Sequence, residues 1–168
     1  MPQFFDRYIN LAADVDIVTA LEEHETIETL VDKNKMEQLG DLKYAPGKWT
    51  IKDIIQHLTD NERVQAYRAM RFSRNDKSVL PGYDENLFAD NANASSRSLN
   101  ELLAEFAAVR RSNILLYRSY NNEMQQRTGT CFNTSISVLA LGFVLVGHQI
   151  HHSNIIHERY FPLLREQA

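Results

Sequence analysis

Apolar residues recur along the chain at the three-and-four spacing of amphipathic helices, and stretches that alternate in the manner of strands are scarce. From about residue 14 to about residue 35, Ile17, Leu21, Ile27, Leu30 and Val31 predict a first helix. Tyr44-Ala-Pro-Gly-Lys-Trp49 interrupts the pattern, because Pro46 and Gly47 favour turns over continued helix. Thr50 and Asp53 read as a capping box opening a second helix, with Trp49 set to pack on Ile54 as a hydrophobic staple. Ile54, Ile55, Leu58, Val64, Tyr67 and Met70 carry that helix to about residue 74. Residues 75 to 97, with Pro81-Gly82, several Asn and Ser95-Ser96, predict a long connection holding a short helical turn near residues 86 to 89. Ser98 and Glu101 form a second capping box, after which Leu102, Phe106, Val109, Asn113, Leu116 and Tyr120 mark a third helix. Residues 121 to 134 are polar, and a fourth helix is predicted from near Ser135 to about Tyr160, just before Pro162.

Four amphipathic helices without a convincing strand predict an all-α four-helix bundle, and 168 residues predict a single domain over 1–168. Hydrophobic residues at 43% and charged residues at 24% fit a globular chain rather than a disordered or fibrous one. A net charge of −4 without any long Lys/Arg tract offers no electrostatic footprint for nucleic acid or a membrane surface, so neither is expected as a partner. Cys131 has no second cysteine to pair with, which points to a reducing compartment and a cytoplasmic location. The start Met-Pro-Gln-Phe-Phe-Asp lacks a basic segment leading into an apolar run, so no secretory signal is expected. The most apolar stretch, residues 136 to 146, is about half of the ~20 residues that span a bilayer and reads as buried helix.

Four of the six histidines fall between residues 148 and 157, near the end of the most apolar helix. His148 and His152 are one step of four apart, so their side chains leave one helix face and can chelate a single ion. Two imidazoles make a weak site, and a metal that does chemistry is held by about three protein ligands with a further position open. His57, between Ile54 and Leu58 and near Asn61, is the natural third ligand. Were the second and fourth helices parallel, His57 and His148 would be offset by roughly 9 Å at 1.5 Å rise per residue; antiparallel, their heights agree. The third helix must then run the same way as the second, which requires a crossover, and residues 75 to 97 supply one. A lone histidine is ordinarily a core or surface residue with a satisfied hydrogen bond, and His24, His151 and His157 keep that reading. His151 is the alternative to His152 as partner of His148, or a hydrogen-bonding neighbour of the site.

These same residues resemble the DinB-like superfamily. The matching elements, in order, are Tyr44-Ala-Pro-Gly-Lys-Trp-Thr-Ile-Lys-Asp, then His57-Leu-Thr-Asp-Asn-Glu62 with Tyr67-Arg68, Pro81-Gly-Tyr-Asp84, Ser98-Leu-Asn-Glu-Leu-Leu, and Gly147-His-Gln-Ile-His-His152. The resemblance covers nearly the whole chain and implies a bundle of up-down-down-up order with His57, His148 and His152 as ligands of a divalent metal. It also implies a metal-dependent hydrolase or a thiol-dependent transferase.

Three neutral imidazoles and an open position suit Zn²⁺ or Ni²⁺, with a bound water activated for hydrolysis of a small-molecule substrate. The same position could take the sulfur of a low-molecular-weight thiol for transfer, or the ion could only stiffen a non-catalytic binding module. Asp60, Glu62 and Asp84 are the candidate catalytic helpers, to orient an imidazole or move a proton. Arg68 reads either as a partner for an anionic substrate group or as half of an ordinary ion pair. Pairing of bundles through helix faces makes a homodimer a further expectation.

Overall fold

The computed structural model describes residues 5–12 and 14–165; the first four residues, part of the stretch read for a secretory signal, lie outside them. Two long helices are set by local capping. In α4 (Ile51–Ser73) the Thr50 hydroxyl accepts from the Asp53 N–H while Asp53 accepts from the Thr50 N–H. In α6 (Leu99–Arg118) Ser98 and Glu101 make the same reciprocal pair. Each box satisfies two amide donors that a helix start otherwise leaves without partners.

The predicted first helix is broken into α2 (Ile17–Glu23), a 3₁₀ turn (Ile27–Thr29) and α3 (Lys33–Leu39). The cause is tertiary. Arg110 donates to the His24 carbonyl at 2.9 Å and Gln149 to the Thr26 carbonyl at 2.8 Å, so carbonyls at the α2 C-cap and in the link after it are claimed from other helices. Asp32 then caps a new start by accepting from the Lys35 N–H.

The prediction for the fourth helix is corrected at both ends. Residues 135 to 137 belong to a two-stranded antiparallel hairpin, β1 (Thr128–Cys131) with β2 (Thr134–Ser137), preceded by a short α7 (Asn122–Gln126). The long helix α8 is Val138–Ile155, and the chain continues through a π turn (Ile156–Tyr160) into α9 (Phe161–Arg165), past Pro162. The wider π turn lets the helical path continue past a residue that has no N–H to offer the preceding turn. The connection between α4 and α6 holds α5 (Glu85–Asn91), and Leu80 joins the hairpin through bonds to Thr130 and Phe132. A short α1 (Asp6–Ile9) precedes α2.

Side-chain pairings give the helix directions. Gln56 meets Arg97 and Arg63 meets Glu105, so α4 and α6 are parallel. Tyr160 bonds the Trp49 carbonyl, whereas His57 and Asn61 both meet His148, so α4 and α8 are antiparallel. Arg110 reaches His24 while Arg118 reaches Glu22, which makes α2 antiparallel to α6. The order is therefore up-down-down-up, with the crossover between α4 and α6.

Each of the four segments passes from an apolar stretch through a polar one to a second apolar stretch. Ile17, Leu21, Phe72, Tyr117 and Leu145 belong to one core; Ile27, Ile54, Leu58, Phe106 and Ile156 belong to the other. Between them lie the buried polar groups, above all Arg110, which is fully buried. Arg110 donates from Nε and Nη2 to the two Glu62 carboxylate oxygens at 3.1 and 2.7 Å, to the His24 carbonyl, and at 3.4 Å to the Leu145 carbonyl. Asn113 adds a 2.8 Å bond to Glu62.

Removing one side of a buried ion pair leaves an uncompensated charge. Arg110→Met or Glu62→Leu alone is therefore expected to cost about 3–5 kcal/mol, with the double variant recovering most of the loss. Urea unfolding of the three variants checks this, and additive losses in the double variant would contradict it.

Candidate metal centre

His57 from α4 and His148 and His152 from α8 come together in the polar layer, and each offers one ring nitrogen within 4.8 Å of the other two. Helical spacing supplies the α8 pair, and the antiparallel packing brings His57 to their height. His57 Nε2 and His148 Nε2 stand 3.1 Å apart. Nitrogens about 2.0–2.1 Å from one tetrahedral centre would stand roughly 3.3 Å apart, so the spacing of this pair suits a single ion. His152 also buries Nδ1 without a hydrogen-bond partner, a polar atom that burial should not leave unsatisfied. All three are buried, at 4%, 5% and 8% exposed.

Burial holds these rings neutral. It lowers His57 to about 4, and it takes His148 and His152 well below the ordinary histidine value, with the neighbouring histidines adding to the effect. Neutral imidazoles have a lone pair ready for a cation. The Trp49 ring lies 4.7 Å from His57, and the Tyr8 ring meets His148 edge-on at 5.1 Å. Tyr8 gets there because α1 lies directly on α8 at Gly147, where an added Cβ would fall 1.9 Å from the Tyr8 carbonyl oxygen.

A chain of hydrogen bonds ends on His148. Arg68 can only donate, and it does so to Gln65 Oε1 at 3.1 Å; Gln65 Nε2 donates to Asn61 Oδ1 at 3.1 Å, which leaves Asn61 Nδ2 facing His148 Nδ1 at 3.1 Å. Tyr83 also donates to Asn61 Oδ1 at 3.1 Å. With Nδ1 accepting, the His148 proton sits on Nε2 and points to His57 Nε2. Two cavities reach the cluster: one of about 690 Å³ that includes His148, and one of about 230 Å³ that includes His152 and Trp49.

The other expected residues are placed less uniformly. Asp60 is half-buried, takes a bond from Gln56 at 3.0 Å, and has its carboxyl raised by burial. Glu62 has both oxygens on Arg110 and Asn113. Asp84 lines the larger cavity and caps α5 by accepting from the Asn86 and Leu87 N–H groups. His151 is half-buried against Tyr8 and His152; His24 bonds the Ala20 carbonyl and His157 the Leu30 carbonyl. Tyr8, and the hairpin residues that wall the larger cavity, have no signal in the sequence. Among the described residues no helix is long and apolar enough to cross a membrane.

The protein is thus a helical bundle with a crossover between its middle helices and a buried three-histidine cluster in its polar layer. The DinB superfamily pattern matches residues 21–156, and the chain belongs to that superfamily. It is similar in structure to YfiT from Bacillus subtilis, described as a probable metal-dependent hydrolase with an unusual four-helix bundle topology. That likeness has a TM-score of 0.70 at 17% identity, over 96% of this chain and 88% of YfiT. No curated protein matches the chain significantly.

The depressed histidines make stability pH-dependent. Their folded values lie below the unfolded 6.5, so between pH 6.5 and about 4 the unfolded chain binds protons that the folded chain refuses. In EDTA, stability should be fully present above pH 6.5 and fall as pH drops through that window, His57 alone contributing on the order of 3 kcal/mol by pH 4. Urea midpoints at pH 7 and pH 5 test it; equal midpoints for the native chain would rule it out.

Proposed function

We propose that the protein is a metal-dependent hydrolase of a small-molecule substrate, with His57, His148 and His152 holding a divalent ion, Zn²⁺ or Ni²⁺. The convergence of three buried, neutral imidazoles from two helices beside a cavity carries this reading. YfiT, described as a probable metal-dependent hydrolase, supports it by likeness of fold. A divalent ion held there supplies Lewis acidity and lowers the pKa of water in its open position.

The chain's own residues do the rest. To ligate through Nε2, His148 carries its proton on Nδ1, and the Asn61 amide must make a half-turn to present Oδ1 to it, giving up the bond it accepts from Gln65 Nε2. Tyr83, whose hydroxyl accepts as readily as it donates, tolerates either orientation of that amide. Trp49 and Tyr8 pack against the His57 and His148 rings and help to bury them. Asp84, on the cavity wall, and Asp60, held protonated to higher pH by burial, are the carboxyls available for proton transfer.

Metal content by plasma mass spectrometry on untagged protein is expected to be near one ion per chain and to be lost in His57→Ala and His148→Ala. Absence of metal from the native chain even after incubation with zinc or nickel would falsify the reading. Asn61→Asp, an acceptor only, should fix the His148 proton on Nδ1 and tighten metal binding by about tenfold, measured by chelator competition. Weaker binding in that variant would mean that Asn61 does not govern the His148 tautomer.

A further inference from the structure

Arg68 on α4 is a buried cation without a buried anion. It is 5% exposed, and its hydrogen bonds go to two neutral acceptors, Gln65 Oε1 at 3.1 Å and the Pro81 carbonyl at 2.8 Å. Among the described residues no carboxylate oxygen lies within ion-pair distance of it, whereas Arg110, buried as deeply, has Glu62 on both prongs of its fork. Two nearby groups that could ionise stay protonated: burial pushes Tyr83 up to about 12 and raises the Cys131 thiol. A desolvated charge in this state is costly unless something else completes it. Two of the five guanidinium N–H donors are used, and Arg68 forms part of the wall of the same 690 Å³ cavity that includes His148.

We propose that this cavity binds a substrate carrying a carboxylate, with the carboxylate on Arg68 and the reacting end at His148. The proposal rests on the reading of the histidine cluster as the reacting centre. Gln65 and Pro81 fix the guanidinium plane and leave three N–H donors for a ligand, and a planar guanidinium is the side chain best matched to a planar carboxylate. A phosphate dianion fits less well, because the other charged groups of the cavity are Asp84 and Glu85, both exposed. Phe5, Phe132 and Val144 supply apolar wall for the body of the ligand. His57, Asn61, Gln65 and Arg68 lie on one face of α4, and two helical turns separate Asn61 from Arg68, about 10 Å of axial rise. We take that separation to favour a ligand whose carboxylate lies several bonds from the bond that reacts, farther than within an α-amino acid.

The test uses the full chain freed of metal with EDTA. Acetate, hexanoate and 4-phenylbutyrate are titrated against acetamide, hexanamide and 4-phenylbutanamide, following the Arg68 Nε–H and the Asn61 and Gln65 side-chain amides by ¹⁵N NMR. The two longer acids should shift these signals saturably and bind at least about tenfold more tightly than their amides, a preference lost in Arg68→Met. That variant leaves no acid unpaired, so any fall in its melting temperature should be modest and come from the two neutral acceptors it abandons, Gln65 Oε1 and the Pro81 carbonyl. Should it fail to fold, Arg68→Lys carries the test, keeping the charge without the fork and weakening the acids several-fold while leaving the amides unchanged. Equal binding of acids and amides, no saturable binding of either, or tighter binding of inorganic phosphate than of hexanoate would overturn the proposal. Since metal is removed, carboxylate binding in a chain that never takes up metal would sink the hydrolase reading and leave the Arg68 site standing. Metal uptake without carboxylate preference would do the reverse.

Discussion

The bundle depends on one buried ion pair. Arg110 reaches from α6 to Glu62 on α4, to the His24 carbonyl at the end of α2 and to the Leu145 carbonyl on α8, so one side chain touches all four segments. A guanidinium has a fixed planar fork, and satisfying it from three other segments sets the relative heights of the helices more tightly than apolar packing does, since apolar contacts tolerate sliding. It also accompanies the break after α2, where the His24 carbonyl at its C-cap and the Thr26 carbonyl beyond it accept from Arg110 and Gln149.

That pair belongs to a polar layer between two apolar cores, and the histidine cluster is part of the same layer. The cost of burying polar groups is met in the layer by nearly complete hydrogen bonding, with the His152 Nδ1 among the few exceptions. Burial beside apolar cores also keeps the imidazoles uncharged. The chemistry at the site and the specification of the bundle therefore draw on the same desolvation.

Two buried arginines of this layer stand in contrast. Arg110 is neutralised within the protein and acts in architecture; Arg68 has only neutral partners, forms part of a cavity wall, and anchors the relay of amides that ends on His148. The same side chain is thus connected to Nδ1 of the His148 imidazole and to the space of the larger cavity. Gly147 contributes from the other side, because its lack of a Cβ lets α1 lie on α8 and sets Tyr8 against His148.

Much of this was present in the sequence where the deciding interactions are local. The capping boxes at Thr50 and Ser98 join residues three apart, and the His148–His152 pair is a single helical step, so spacing alone places them. Counting residues also showed that His57 and the α8 pair reach matching heights only if their helices are antiparallel, as they are in the structure. Only the tertiary structure decided the rest. Continuous helical spacing through residues 24 to 26 gave no sign that distant side chains would claim their carbonyls. The hairpin has Phe132-Asn133 at its turn, with Phe132 at a positive φ of 54°, in place of the Asn-Gly or Gly-led pairs that announce such turns. A π turn carried the last helix past Pro162. Arg110 and Arg68 look alike in the sequence, each one charged residue on a helix, and which has a carboxylate partner depends on residues far along the chain that only folding brings near.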